Sequence, residues 1–334
     1  MNESLYPLLY SSCIPVKGAN KSIICDLQNQ CYIHLPNELY DIVDTLGEYS
    51  LSQYRSANDL ETYLLLEKYF FSLEENRFLF FTHTPKMFPK LDFERWDCPS
   101  LISNAVIDLG TSIQFNLENV IDDLVNMGCQ YLQIRSFDTL VLSDLSYRLI
   151  NARIHLKDIN LDLILKYYQG CKISQIKEFA DLFPCISTIT FHSAGFEKFY
   201  EISSHIKVTY TKTVIIDETH CGKINSEHFR ANMTAFAENR EWNSCLNRKI
   251  AIDKNGQIKN CPSMEFSYGL ITERSIREVV LNIPEFRDLW RISKDKIQVC
   301  RDCEYRYICS DCRAYLEDPL MKPAKCSYNP YQGE

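Results

Sequence analysis

Seven of the fifteen cysteines fall in the last ninety residues, and their spacing is that of metal ligands. Cys245 is followed by ten residues, Gly256, four more residues and Cys261. Then come Cys300-x2-Cys303-x5-Cys309-x2-Cys312 and, after a gap, Cys326. Thiolates bind iron–sulfur clusters and zinc strongly, and two intervening residues let neighbouring sulfurs meet one centre. The plain alternatives, a disulfide framework or ordinary buried thiols, need no such regularity. A metal-binding tail is the expectation, with iron–sulfur and zinc both open because each accepts four thiolates.

The elements that must position these sulfurs are readable nearby. Residues 249–253 alternate as a strand does, 257–259 can pair back on them, and Lys254-Asn255-Gly256 supplies a turn in which an Asn-Gly pair tolerates positive φ. The hairpin would set Cys245 and Cys261 side by side at its open end. Apolar spacing over 275–281, and again at Phe286, Leu289, Trp290 and Ile292, predicts two helices around the metal region. Arg301, Arg306 and Arg313 lie among the cysteines, where they would offset thiolate charge.

The order Cys-x10-Gly-x4-Cys, gap, Cys-x2-Cys-x5-Cys-x2-Cys, gap, Cys resembles the SPASM domain, the auxiliary cluster-binding tail of peptide-modifying radical-SAM enzymes. The family's run usually ends Cys-x3-Cys, one residue longer than here. The resemblance implies that Cys300, Cys303, Cys309 and Cys326 hold one centre, a [4Fe–4S] cluster, while Cys312 crosses to a second with Cys245 and Cys261. A last cysteine that serves another cluster has a precedent in two-cluster ferredoxins. The further upstream cysteine of the family is missing, since Glu238 and Asn239 occupy that region; either Cys221 supplies it from further away, or the second site is open, degenerate or empty.

The rest of the chain excludes more than it declares. A chain of 334 residues with 46% hydrophobic composition can bury a large core, and two or three domains are expected. A net charge of −8 argues against a general nucleic-acid binder. No apolar run approaches a membrane span, residues 1–13 lack signal-peptide character, and a cytoplasmic location is expected. Glycine, at ten residues, is too scarce for phosphate-cradling loops, and neither common nucleotide-binding motif occurs.

An α/β architecture in three parts is expected. Residues 1–84 read as a small module of short strands (6–10, 21–26, 30–35, 77–82) and two helices. One helix carries Leu39, Ile42, Val43 and Leu46; the other places Leu60, Leu64, Leu65, Tyr69 and Phe70 on its apolar side. The order is similar to the winged-helix leader-recognition module of peptide-modifying enzymes. That likeness implies a precursor's leader adding as a strand beside Tyr32, Ile33, His34 and Leu35. Cys25 and Cys31 read as buried thiols. Prolines 85, 89 and 99 mark a linker, and 85–240 alternates strand with helix as a degenerate partial (β/α) barrel. Its strands are expected at 105–109, 131–135, 188–191, 208 and 214–216, and its helices at 117–127, 143–150 and 173–182. Residues 241–334 form the cysteine-rich SPASM-like domain.

Radical-SAM chemistry is not expected. The family's Cys-x3-Cys-x2-Cys motif occurs nowhere; Gly110-Thr111-Ser112-Ile113-Gln114-Phe115 follows the first barrel strand, and Arg135-Ser136-Phe137 stands where a Gly-Gly-Glu motif would. His192-Ser193-Ala194-Gly195 and His220-Cys221-Gly222 are weaker polar candidates. As a whole the chain resembles the SPASM-domain peptide maturases of grasp-with-SPASM systems. That implies a precursor peptide, an ATP-grasp ligase or both as partners and no SAM, with a non-catalytic role for this chain as the leading expectation. A cluster-dependent redox enzyme acting on a peptide and a zinc-stabilised scaffold are the alternatives.

Overall fold

Short alternating segments at the start of the chain build two small sheets. The computed structural model describes residues 4–93 and 96–332, so Glu94 and Arg95 of the expected linker lie outside the described residues. β1 (Tyr6–Leu9) ends at a turn into β2 (Cys13–Val16), which pairs with β3 (Lys21–Asp26), itself paired with β4 (Cys31–Pro36). α1 (Asn37–Asp44), α2 (Leu51–Ala57) and α3 (Leu60–Glu75) follow, and β5 (Leu79–Thr82) returns to β1. β2 and α2 were not anticipated. The second had a signal, because Ser50 and Gln53 form a reciprocal capping box at its start.

Helix α3 turns only part of its expected face inward, Phe70 into the core and Tyr69 against it. Tyr63, Leu66, Phe70 and Leu73 are buried, whereas Leu60, Leu64 and Leu65 are exposed, Leu65 to 63%. The segment is apolar on two adjoining faces, and the one carrying the aromatic rings joins the core with Leu35, Val43, Leu51 and Tyr54. Large rings bury more area per residue and so decide the rotation.

Beyond residue 100 lies one mixed sheet of eight strands. β6 (Asn104–Asp108), α4 (Leu117–Asn126), β7 (Tyr131–Ser136), α5 (Leu142–Asn151), β8 (Asn160–Lys166), α6 (Ile173–Leu182) and β9 (Ile186–His192) alternate. Their strands lie parallel in sequence order. β10 (Lys198–Glu201) and β11 (Lys207–Tyr210) extend one side. After α7 (Met233–Glu241), β12 (Lys249–Ile252) joins parallel to β6, and β13 (Ile258–Lys259) closes the other side; α8 (Ile276–Asn282) then packs on α4.

Two differences from expectation stand out. β8 was missed: Leu161, Leu163 and Leu165 alternate inward, but leucine lacks the β-branching that marks a strand. Residues 214–216, though β-branched, form no strand; Val214 and Ile216 are exposed and find no pairing partner.

The fold matches α/β expectations at the level of alternation and a large sheet. The cysteine-rich tail is stitched into that sheet through β12. It also meets the N-terminal module, where Val16, Ile23, Cys25 and Leu27 share a core with Phe236, Tyr305, Ile308 and Cys309.

Candidate metal centre

The hairpin that carries Cys245 and Cys261 forms as its sequence directs. Gly256 adopts φ +79 at the turn, and the Asp253 carboxylate accepts the backbone N–H groups of Asn255 and Gln257. Register pairs Ala251 with Lys259 and Ile252 with Ile258, so both chain ends emerge together. Asn243 fixes the approach to Cys245: its side-chain oxygen accepts from the N–H groups of Cys245 and Leu246, and its amide donates to Ile292 and to the buried Asp311.

Two groups of thiols emerge. In one, Cys245 lies within electrostatic reach of Cys261, Cys221 and Cys312, and burial pushes its thiol up to about 12, with Lys249 opposing. Cys312 in turn feels Cys261 and Cys221. The approach of Cys221 is close enough that a Cβ on Gly222, which has φ +85, would stand 2.7 Å from the Cys312 sulfur. In the other, burial raises Cys300 to about 11 and Cys303 to about 12. Cys303 feels Cys309 and Cys300, and Cys309 feels Cys326. Of these eight, only Cys221 is exposed. Among the described residues no three His, Cys, Asp or Glu side chains stand at the spacing of ligands to a single ion.

Each group faces a lysine that its spacing in the sequence did not single out. Lys249 Nζ donates to Cys245 Sγ at 3.7 Å. Burial would push this ammonium down, yet Cys245, Cys261 and Cys221 together hold it up. Lys294 is 3% exposed and donates to the Ser310 carbonyl at 3.0 Å; burial again opposes its charge, while Asp311, Cys309 and Cys300 hold it up. An ammonium taken out of water needs an anion beside it. Asp311, the largest of these contributions, also pairs with Arg313, with 2.6 Å between Arg313 Nη2 and Asp311 Oδ1, so one carboxylate is shared between two buried cations. Arg301 and Arg306 do not reach the sulfurs in this way. Arg301 pairs with Asp302, and Arg306 with Asp295 and the carbonyls of Lys17 and Cys303.

The chemistry of the donor set fits a thiolate-bound metal. Eight thiols in two groups, with cationic side chains facing them, match what an anionic cluster would require; thiolates would be the counter-charge of Lys249 and would join Asp311 in compensating Lys294. Cys129 and Cys171 are buried packing residues, and Cys98 and Cys185 are partly buried. Cys25 is buried as expected, but Cys31 is exposed because it begins the edge strand β4.

The carboxyl ends of the parallel strands lie beside the second thiol group. Asp108, ending β6, and Arg135, near the end of β7, form a buried bidentate pair at 2.7 and 2.9 Å. Burial raises the Asp108 carboxyl and Arg135 pulls it back; burial also opposes the Arg135 charge, which Asp108, Cys221 and Cys261 sustain. His192, ending β9, is fully buried with Nε2 3.2 Å from the Ser136 carbonyl and Nδ1 3.1 Å from Ser193 Oγ, and burial lowers it. His220 lies within electrostatic reach of His192, and Cys221 of Cys312.

The expected peptide-binding strand is an edge. β4 pairs with β3 on one side, and no described residue pairs with it on the other. Leu35 is buried in the module core with Ile33 packed against it. Tyr32 and His34 face the tail instead: His34 Nε2 lies 2.8 Å from the Tyr305 hydroxyl, and Tyr32 packs against Tyr305 and Phe229. A separate cavity of about 400 Å³ lies between β1, β2, α1 and residues 88–93, and no cysteine of either group lines it.

No family model matches the chain, and no curated protein matches it. Among solved structures, SuiB of Streptococcus suis, crystallised with the precursor peptide SuiA, aligns over 96% of this chain and 100% of that chain. The identity is 11% and the TM-score 0.36. A likeness of that grade carries no functional argument. Among the described residues no helix is long and apolar enough to cross a membrane.

Proposed function

We propose that this chain is a metal-stabilised partner in the maturation of a ribosomally made peptide, one that holds a precursor for modification by another protein. The observation that carries the reading is the pairing of two four-thiol groups with Lys249 and Lys294. Cys300, Cys303, Cys309 and Cys326 hold one centre; Cys245, Cys261 and Cys312 hold the other. Iron–sulfur is preferred to zinc. One zinc ion draws its thiolates to about 2.3 Å from a single point, whereas a cluster spreads them over several irons, and the preference rests on the resemblance of the cysteine order to that of cluster-binding tails. When bound, such a centre supplies folding free energy to the tail and can carry electrons.

The free edge of β4 takes the precursor's leader by strand addition. Main-chain hydrogen bonds there give affinity, and neighbouring side chains select the sequence. Without Cys-x3-Cys-x2-Cys, the chain has no three-thiolate site for cleaving SAM, and without phosphate-binding loops the ATP chemistry belongs to an ATP-grasp ligase.

Anaerobically purified protein titrated with the precursor encoded beside its gene should bind it, and the isolated leader should compete. The same protein given SAM and reductant should yield no 5′-deoxyadenosine. Failure to bind, or production of 5′-deoxyadenosine, overturns the reading.

A further inference from the structure

The chain between β11 and α7 crosses the carboxyl ends of the parallel strands before it reaches the second thiol group. Its start is held by β9, where the N–H groups of Ser193 and Ala194 donate to the Thr213 and Thr211 carbonyls, both at 2.9 Å. Further along, His220 lies within electrostatic reach of His192 at the end of β9, Glu218 of Asp108 at the end of β6, and Cys221 of Arg135. Residues 211–222 thus lie over the place where a sheet of this kind presents its polar side chains.

The far end of the segment is tied to the tail by its backbone carbonyls. Glu218 accepts from Ser263 Oγ at 2.9 Å and from the Tyr315 hydroxyl at 3.4 Å. Lys325 Nζ donates to the carbonyls of Thr219 and Cys221, the latter at 2.6 Å. Gly222 permits the final approach, since its positive φ and its tight fit against Cys312 leave no room for a side chain. Cys221 lies within electrostatic reach of Cys245, Cys312 and Lys249.

We propose that Cys221 is the fourth ligand of the second centre and that metal there latches residues 211–222 across the strand ends. This rests on the reading that the thiol groups bind metal. Three ligands come from the hairpin and the tail, while the fourth arrives on a separate segment with its thiol exposed. Loading the centre therefore fixes the segment, and emptying it leaves only the carbonyl contacts. The buried Asp108, Arg135 and His192 become accessible when the strap lifts.

The test uses the full-length chain, purified anaerobically and reconstituted, as wild type, C221S, C312S and C303S. Iron and zinc per chain and amide exchange across residues 211–222 are both measured. Chelation of the wild type should speed exchange in the strap about tenfold. C221S and C312S should each lose about half the metal and show the same faster exchange, although Cys312 is not on the strap. C303S should lose the other half and leave the strap protected. C221S is the safe variant for folding because its side chain is exposed. A loaded wild type whose C221S variant keeps all its metal and its strap protection overturns this inference alone. A wild type that takes up neither iron nor zinc overturns both this inference and the reading beneath it.

Discussion

Lys249 places its ammonium 3.7 Å from Cys245 Sγ on a strand whose remaining residues are buried. Groups that hydrogen-bond metal ligands tune affinity, and their loss typically costs about 10–100-fold. Lys249→Met should therefore release metal to a chelator at least about tenfold faster from the centre that includes Cys245, and Lys249→Arg should restore most of the retention. Equal release rates in wild type and Lys249→Met, followed by absorbance of the chelator complex, would remove the lysine from this role. His192 makes a prediction with a sign. Burial holds the folded imidazole below the ordinary 6.5, so on acidification through 6.5 the unfolded chain takes up a proton before the folded one does. Stability present at neutral pH is lost as pH falls through that window. His192→Gln removes this component, so its melting temperature should fall less between about pH 7.5 and about pH 5.5 than that of the wild type. Parallel melting curves would contradict the buried, neutral assignment. The gathering of the tail's cysteines into two neighbourhoods was legible in their spacing. Lys249 and Lys294 were not, because nothing in a lysine's sequence position declares that it is turned inward.

At the scale of elements, periodicity located most strands and helices and failed where two readings competed. Helix α3 carries apolar residues on adjoining faces, and only the packed core distinguishes Leu66, 3% exposed, from Leu64, 52% exposed. Leu66→Ala should cost about 2–5 kcal/mol through lost burial and a cavity. Leu64→Ala should stay within about 0.5 kcal/mol. Urea denaturation of both variants measures the difference, and comparable losses would mean that the helix is rotated from the orientation described. The alternation in β8 was present in the sequence, but it was written in leucine and hidden by weak strand propensity. The hairpin of β12 and β13 was legible because Asn255-Gly256 states its own turn. Its insertion beside β6 was not, because parallel pairing between residues some 145 positions apart leaves no local mark.

At the scale of the whole molecule, the first thiol group sits directly beneath the N-terminal module. Ala19 N–H donates to the Asp302 carbonyl at 2.7 Å, and Arg306 donates to the Lys17 carbonyl at 2.5 Å. Gly18 has no space for a side chain, since a Cβ there would stand 2.9 Å from the Glu304 Cβ. Glu304 is itself buried and accepts from the Tyr328 hydroxyl at 2.5 Å. The turn that carries Cys300, Cys303 and Cys309 is thus the floor on which β3 and β4 rest. Metal bound as proposed would contribute folding free energy to this turn, and its removal would loosen whatever rests on it. Chelation should therefore raise amide exchange across residues 16–36. Residues 60–75, which pack in the module's separate core, should remain protected. If β4 receives the precursor's leader, chelation should also weaken leader binding by about tenfold or more, and Cys303→Ala should reproduce both effects. Exchange in 16–36 that is indifferent to metal, measured by mass spectrometry on the same preparation, would show that module and tail fold independently. The shared core of Ile23, Cys25, Tyr305 and Cys309 argues that they do not.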